Sequence, residues 1–295
     1  AVDDCVAAVL RPLIDQDLSV VFYDLTTIRA EGLSQQEGDV RHFGMSKEGV
    51  IARQFMLGVV QTADGMPIYH EVFDGNTAEA PTLQPTLKKV LTRYHHIRRL
   101  VVVADRGLLS LDNIQALSKL QEAAGRTLEF ILAVPGRRYG EFVDLVKPIS
   151  QQAAQDGEEI VQEVQWQGHR LVVAHNPRQA AQQTQDRLSR IHALEQRAAQ
   201  LTGKLDAQDE GKVQRGRKLS DSGAKARFFH EVSDAHLARI IKVDLKSDLF
   251  TYGIDEAALA RAQLMDGKLM LVTNVQEMKA ADVVRRYKCL ADIER

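Results

Sequence analysis

The sequence predicts an α/β fold: a mixed sheet with flanking helices, interrupted before its last helix by an insertion that is partly β and partly helical. Three observations predict it. β-branched runs at Leu18–Leu25 and Leu100–Ala104 read as strands buried in a central sheet, and each run ends in an aspartate, Asp24 and Asp105. Between them, two further apolar runs flank Asp64-Gly65, the signal of an antiparallel hairpin. Leucines then recur at helical spacing on either side of the Leu100–Ala104 run.

Taken in order, Leu18–Leu25 is the first strand, Gln54–Thr62 the second and Pro67–Phe73 the third, with Ala63-Asp64-Gly65 turning between the last two. The polar, glycine-bearing stretch Gly32–Gly49 reads as a long surface loop. Thr77 is a candidate cap for a helix over Thr82–Tyr94, whose Leu83, Leu87, Val90 and Leu91 share a face. Leu100–Ala104 follows as a strand. Ser110 then caps a helix carrying Leu111, Ile114, Leu117 and Leu120, and Phe130–Val134 is another buried strand. Three strands in meander, then helix, strand, helix, strand, is the ribonuclease-H-like order, with a mixed sheet in place of a strict βαβ repeat.

From about Pro135 the composition turns to Gln, Gly and charge. Ile160–Trp166 and His169–Ala174 form a second hairpin around Gln167-Gly168. Residues 178–205 put Leu188, Ile191, Leu194, Ala198, Leu201 and Leu205 on one face of a long helix. Strand character returns at Lys268–Val275, and Lys279–Arg295 reads as the closing helix. The expected domains are 1–140, the first part of the core; 141–267, the insertion; and 268–295, the core's closing strand and helix.

With 295 residues and 44% hydrophobic content the chain can bury a full core. Its 38 Lys+Arg against 40 Asp+Glu leave a net charge of −2, so the basic footprint of a nucleic-acid binder must be local. The nearest approach is Lys212–Arg227, where Lys212, Arg215, Arg217, Lys218, Lys225 and Arg227 accompany one acid, Asp221; a solvated loop is the plain alternative. Cys5 and Cys289, far apart and alone, exclude a Cys-based zinc site and fit a reducing compartment. His95-His96 lack zinc spacing and read as surface residues. No apolar run approaches the roughly 18 residues that span a bilayer, and no secretory signal core is present, so the expected location is cytoplasmic. The chain starts at Ala1 and stops at Arg295 in helical pattern without a cap, and the expectation is a fragment.

An acid at the end of a buried strand is delivered to the sheet's rim, where ligands of α/β folds collect, so Asp24 and Asp105 are expected to meet there. Converging carboxylates repel unless a divalent cation neutralises them, and oxygen-only donors suit Mg²⁺ or Mn²⁺. The plain alternative for each is an Asx turn. On the closing helix, Tyr287, Leu290 and Glu294 are spaced by three and four residues and share a face, so Glu294 points with the apolar side chains unless it pairs with Arg295 or Lys288 at the edge of the stripe. Trp166, the single tryptophan, is a hairpin core residue or a platform for a base. Gly136-Arg137-Arg138-Tyr139-Gly140 follows a strand and reads either as a phosphate contact or as an exposed turn.

Four strings carry a resemblance: Tyr23-Asp24-Leu25-Thr26-Thr27, Phe73-Asp74-Gly75-Asn76-Thr77-Ala78-Glu79, Val103-Ala104-Asp105-Arg106-Gly107-Leu108-Leu109-Ser110 and Leu271-Val272-Thr273-Asn274. Together they resemble the DDE transposases of bacterial insertion sequences, in the branch with a β-rich insertion between the second Asp and the Glu. That branch has a Tyr-x2-Arg-x3-Glu-x6-Lys signature; this chain gives Tyr287, Leu290 in place of Arg, and Glu294, with the Lys falling beyond Arg295. The resemblance implies a metal-binding triad of Asp24, Asp105 and Glu294 and two Mg²⁺ ions, replaceable by Mn²⁺. It implies phosphodiester hydrolysis and strand transfer at element ends, on double-stranded DNA, by a homodimer in the DNA complex. Arg106, Arg137, Arg138, Trp166, Arg215, Arg217, Lys218 and Tyr287 are the candidate DNA contacts. A truncated remnant that binds DNA without cutting is the alternative. A haloacid-dehalogenase-like phosphatase using Asp24 as nucleophile lacks its second acid, because Leu25 and Thr26 follow.

Overall fold

In the computed structural model, which describes residues 20–31, 38–45, 51–94, 99–108, 110–156, 158–212 and 218–293, the apolar runs build a nine-stranded mixed sheet. β1 (Val20–Arg29), β2 (His42–Met45), β3 (Ile51–Thr62) and β4 (Pro67–Asp74) are its antiparallel part. β3 pairs with β1 along one side and with β2 and then β4 along the other. β5 (Arg99–Ala104) runs parallel to β1, and β6 (Thr127–Ala133) parallel to β5. The resulting run β4-β3-β1-β5-β6 is the ribonuclease-H-like order.

Three expectations are corrected here. β1 does not end at Asp24 but continues to Arg29, because Leu25, Thr27 and Ile28 keep the chain extended against β3. Part of the stretch read as a loop is β2, a short strand without a run of apolar residues, held by its pairing to β3. Thr77 caps no helix: a 3₁₀ turn over Ala80–Thr82 precedes α1 (Leu83–Arg93), whose N-cap is Thr82. Ser110 does cap its helix, α2 (Leu111–Ala124), accepting from the Asn113 N–H at 3.0 Å.

The chain divides into two units, Ala1–Tyr139 with Val161–Ala174 and Leu269–Arg295, and Gly140–Ile160 with His175–Lys268. Strands β7 (Ile160–Trp166) and β8 (His169–His175), which the sequence reading puts in the insertion, form the far edge of the large sheet. They join β6 through β11 (Lys268–Thr273), which runs antiparallel to β6. One face of this sheet carries Val20, Phe22, Val101, Val103, Ile131 and Leu271, packed against Val283, Val284 and Leu290 of the closing helix α7 (Ala280–Ile293).

The second unit contains α3 (Val143–Asp156), α4 (Pro177–Asp209), α5 (Asp221–Asp234), the hairpin β9 (Ile241–Val243) and β10 (Tyr252–Ile254), and α6 (Glu256–Met265). Ile191, Leu194, Ala198, Leu201 and Leu205 are buried against Ala224, Phe228 and Val232, whereas Leu188, at the start of the predicted stripe, is 43% exposed. Phe228 meets Phe250 edge-on at 5.5 Å.

Burial also traps an amine in this unit. Lys268 is 8% exposed, with Nζ 3.3 Å from Nδ1 of His175, and desolvation lowers its pKa to about 8 against the pull of Asp266. Desolvation and the Lys268 charge also lower the pKa of His175. Below pH 8 Lys268 is protonated whether the chain is folded or not, and the native state bears the full penalty. Between pH 8 and about 10.5 the native state releases its proton first, so stability rises with pH. Relative to a Lys268→Met variant, the chain is expected to gain about 2 to 3 kcal/mol across that window in urea titrations. A difference that stays flat from pH 7 to 10.5 would remove this account.

Candidate active site

In β1 the two-residue period puts Val20, Phe22 and Asp24 on one side and Val21, Tyr23 and Leu25 on the other. In β5 the same period groups Val101, Val103 and the residue just after the strand, Asp105. The register Phe22 to Val103 and Tyr23 to Ala104 makes Asp105 the next neighbour of Asp24. Adjacent strands lie about 4.8 Å apart, so the two carboxylates share a level and a face. That face is the one α7 covers, since Val20, Phe22, Val101 and Val103 belong to its core. Both aspartates are half-buried.

Each carboxylate is held by a hydroxyl. Thr26 Oγ1 donates to Asp24 Oδ2 at 2.9 Å, and the Tyr287 hydroxyl donates to Asp105 Oδ1 at 2.7 Å. Burial first, and then the bond to Asp105, push the Tyr287 pKa well up, so it stays a donor at neutral pH. The exposed Arg106 guanidinium also bonds the Tyr287 oxygen, and its charge reaches Tyr139.

The turn after β5 is set from several sides. Asn113 Nδ2 donates to the Leu108 carbonyl at 2.7 Å, and the Leu108 N–H to the Asp105 carbonyl at 3.1 Å. Gly107 packs against the Glu79 carboxylate: a Cβ there would lie 1.6 Å from Oε2, and the flexible Glu79 side chain would have to swing away to admit it. The Glu79 backbone is anchored nearby: its carbonyl accepts from Thr82 Oγ1 at 2.6 Å, and Thr82 Oγ1 accepts from the Tyr23 hydroxyl at 2.8 Å. Tyr23 reaches that far on the opposite face because Gly58, across on β3, has no side chain; a Cβ there would lie 3.0 Å from its hydroxyl.

The approach to α7 is fixed by side chains that imitate a strand. Asn274 Oδ1 accepts from the Phe130 N–H at 2.8 Å, Asn274 Nδ2 donates to the Leu128 carbonyl at 3.3 Å, and Thr273 Oγ1 donates to the Phe130 carbonyl at 2.6 Å. Arg170, 6% exposed on β8, donates to the carbonyls of Val275 and Met278 and pairs with Glu163. The loop before α7 is thereby tied to β6 and β8.

Of the predicted site residues, the structure brings together Asp24, Asp105, Tyr287 and Arg106. Glu294, Arg215 and Arg217 lie outside the described residues. Arg138 sits over the half-buried Trp166 ring at 5.5 Å, with Arg137 exposed beside it, and Lys218 is an exposed residue of the second unit. Thr26, Glu79, Thr273, Asn274 and Arg170 are positioning residues that sequence reasoning missed or quoted only as parts of strings; of these, Thr26, two residues from Asp24 on the same strand face, carried a readable signal.

Among the described residues no group of three His, Cys, Asp or Glu side chains is placed to hold a metal ion. The pair that is present fits a hard divalent cation: oxygen donors only, side by side, with two negative charges and only hydroxyl donors on the oxygens whose bonds are given above. No helix among the described residues is long and apolar enough to cross a membrane.

No family model matches the sequence, and a search of the curated proteins finds no match. Among solved structures the chain is similar to the piggyBac transposase synaptic complex with hairpin DNA, with a TM-score of 0.33 and 13% identity over 54% of this chain and 30% of that one. It is similar to the Mos1 transposase paired-end complex with the left transposon end, with a TM-score of 0.25 and 16% identity over 43% and 40% of the two chains. The Mos1 strand transfer complex gives a TM-score of 0.25 and 16% identity over 43% and 39%. The chain therefore spans less than two thirds of the length of each of these proteins.

Proposed function

We propose that the chain is the catalytic core of a DNA transposase of bacterial insertion sequences, working in the cytoplasm as a homodimer on element ends and target DNA. The observation that carries the reading is the register of β1 and β5, which sets Asp24 beside Asp105 on the face under α7. The resemblance adds Glu294 as the third carboxylate and two Mg²⁺ ions, replaceable by Mn²⁺, as the cofactor. When bound, such ions supply Lewis acidity and charge neutralisation for in-line phosphodiester chemistry.

The chain's own residues hold and orient. Asp24 and Asp105 supply the negative oxygens; Thr26 and Tyr287 fix their rotamers; Arg106, exposed at the rim, supplies a cation for the substrate's phosphates. No covalent protein intermediate is required. Calorimetric titration with Mn²⁺ tests the reading: binding by the chain and its loss in Asp105→Ala support it, and equal binding by both refutes it.

Tyr287 acts one step back from the cation. Tyr287→Phe keeps the packing and removes the hydroxyl, so Mn²⁺ affinity is expected to fall about 10- to 100-fold with the unfolding midpoint little changed. Unaltered affinity in Tyr287→Phe would leave the tyrosine a packing residue alone.

A further inference from the structure

The second unit carries a basic pocket of about 600 Å³ between α4 and the start of α5, lined by Gly203, Lys204, Gln208, Lys218, Leu219 and Arg227 among others. Among the described residues three cations from separate segments converge on it, Lys204, Lys218 and Arg227, and no acid lines it. Of the acids nearby, Glu210 pairs with Lys212, and Asp221 accepts from the Phe250 N–H at 2.7 Å. Like charges gathered around one pocket repel, and an anion relieves that repulsion.

The pocket is built, not incidental. Gln208 clasps Leu219 through both ends of its amide, donating to the Leu219 carbonyl at 2.8 Å and accepting from its N–H at 2.7 Å, which holds Lys218 against α4. Gly203 lies in the interior of α4 with nothing within 4 Å of where its Cβ would be, so the pocket wall there is open backbone where a side chain would intrude. Among the described residues the lining holds no aromatic ring on which a base could stack, so the pocket offers charge for phosphate and no stacking platform for a nucleobase.

We propose that this pocket is a phosphate-binding site that grips the backbone of DNA, with Lys204, Lys218 and Arg227 as its contacts. The proposal rests on the transposase reading only for the identity of the polyanion, and it adds Lys204 and Arg227 as contacts in the second unit.

The test is DNA binding by the full chain in EDTA, measured by fluorescence anisotropy on a duplex of about 20 base pairs across a salt series. The triple variant Lys204→Gln/Lys218→Gln/Arg227→Gln is expected to bind at least about tenfold more weakly, with the slope of log K against log salt shallower by about 2 to 3. Gly203→Glu is expected to weaken binding while leaving the unfolding temperature unchanged or raised, because glutamate favours a helix interior over glycine. Arg239→Gln/Lys242→Gln/Arg261→Gln removes equal charge elsewhere on the same unit and is expected to bind nearly as the unaltered chain does. Equal losses in the two triple variants would overturn the proposal, since net charge alone would explain them. So would displacement of the duplex by a nucleoside triphosphate as effective as by unlabelled duplex at matched phosphate. Binding without metal is independent of cleavage, so a chain that binds through this pocket yet never cuts DNA would refute the transposase reading and leave the pocket standing.

Discussion

Asp105→Asn is expected to lower Mn²⁺- or Mg²⁺-dependent nicking of supercoiled DNA by at least about a thousandfold, which is roughly 4 kcal/mol of lost transition-state stabilisation. The substitution is nearly isosteric. Its amide oxygen still accepts from the Tyr287 hydroxyl, which reaches Asp105 Oδ1 at 2.7 Å, so the contact between the sheet and α7 survives. What is lost is one of two negative charges and the second oxygen donor, replaced by an NH₂ that repels a cation. Asp24→Asn is expected to act alike, with Thr26 still bonded to the remaining oxygen. Because the two carboxylates act as a unit, the double variant should be little worse than either single one. Full nicking activity in Asp105→Asn, with the unfolding midpoint unchanged, would end the metal-site reading.

The aspartates were legible because their strands are. Val20–Phe22 and Leu100–Ala104 are buried runs whose interior position follows from composition, and the meander before α1 follows from the Asp64-Gly65 turn. The adjacency of Asp24 and Asp105 is a matter of register, which no local pattern encodes; it is fixed by which side chains pack under α7. The same limit explains the hairpin β7–β8. Its alternation shows that two strands pair but not which sheet they extend, although Leu171–Ala174, buried throughout, has the composition of an interior strand. The contact between Gly107 and the Glu79 carboxylate shows the limit from another side, because the two residues are far apart in sequence. β2 left no signal because His42, Phe43, Gly44 and Met45 have neither alternation nor a buried face; its pairing with Ile51–Gln54 is what makes it a strand.

Arg187→Ala is expected to destabilise the second unit by about 3 to 5 kcal/mol. Asp266 is 4% exposed and receives both arms of the Arg187 guanidinium at 2.6 Å each, with Thr184 Oγ1 donating at 2.7 Å. The carboxylate also raises the pKa of Arg187, chiefly through the hydrogen bonds between them. Truncating the arginine leaves a buried negative charge with a single hydroxyl donor and the more distant compensation of Lys268, whereas the pair as a whole contributes far less than its separation costs. The consequence is a testable asymmetry. Arg187→Leu/Asp266→Leu should lose much less stability than Arg187→Ala, even though it changes more atoms. The neighbouring backbone cannot relax to help, because the turn is pinned: Asn176 N–H donates to the Gly267 carbonyl at 2.9 Å, Gln183 Oε1 accepts from the Gly267 N–H at 2.8 Å, and Gly267 sits at φ +66° where a Cβ would come within 2.4 Å of the Asn176 carbonyl. Urea unfolding followed by circular dichroism reads both variants. A loss below about 1 kcal/mol in Arg187→Ala would mean that water reaches Asp266 as readily as it reaches a surface pair, and that burial is not what makes this arginine necessary.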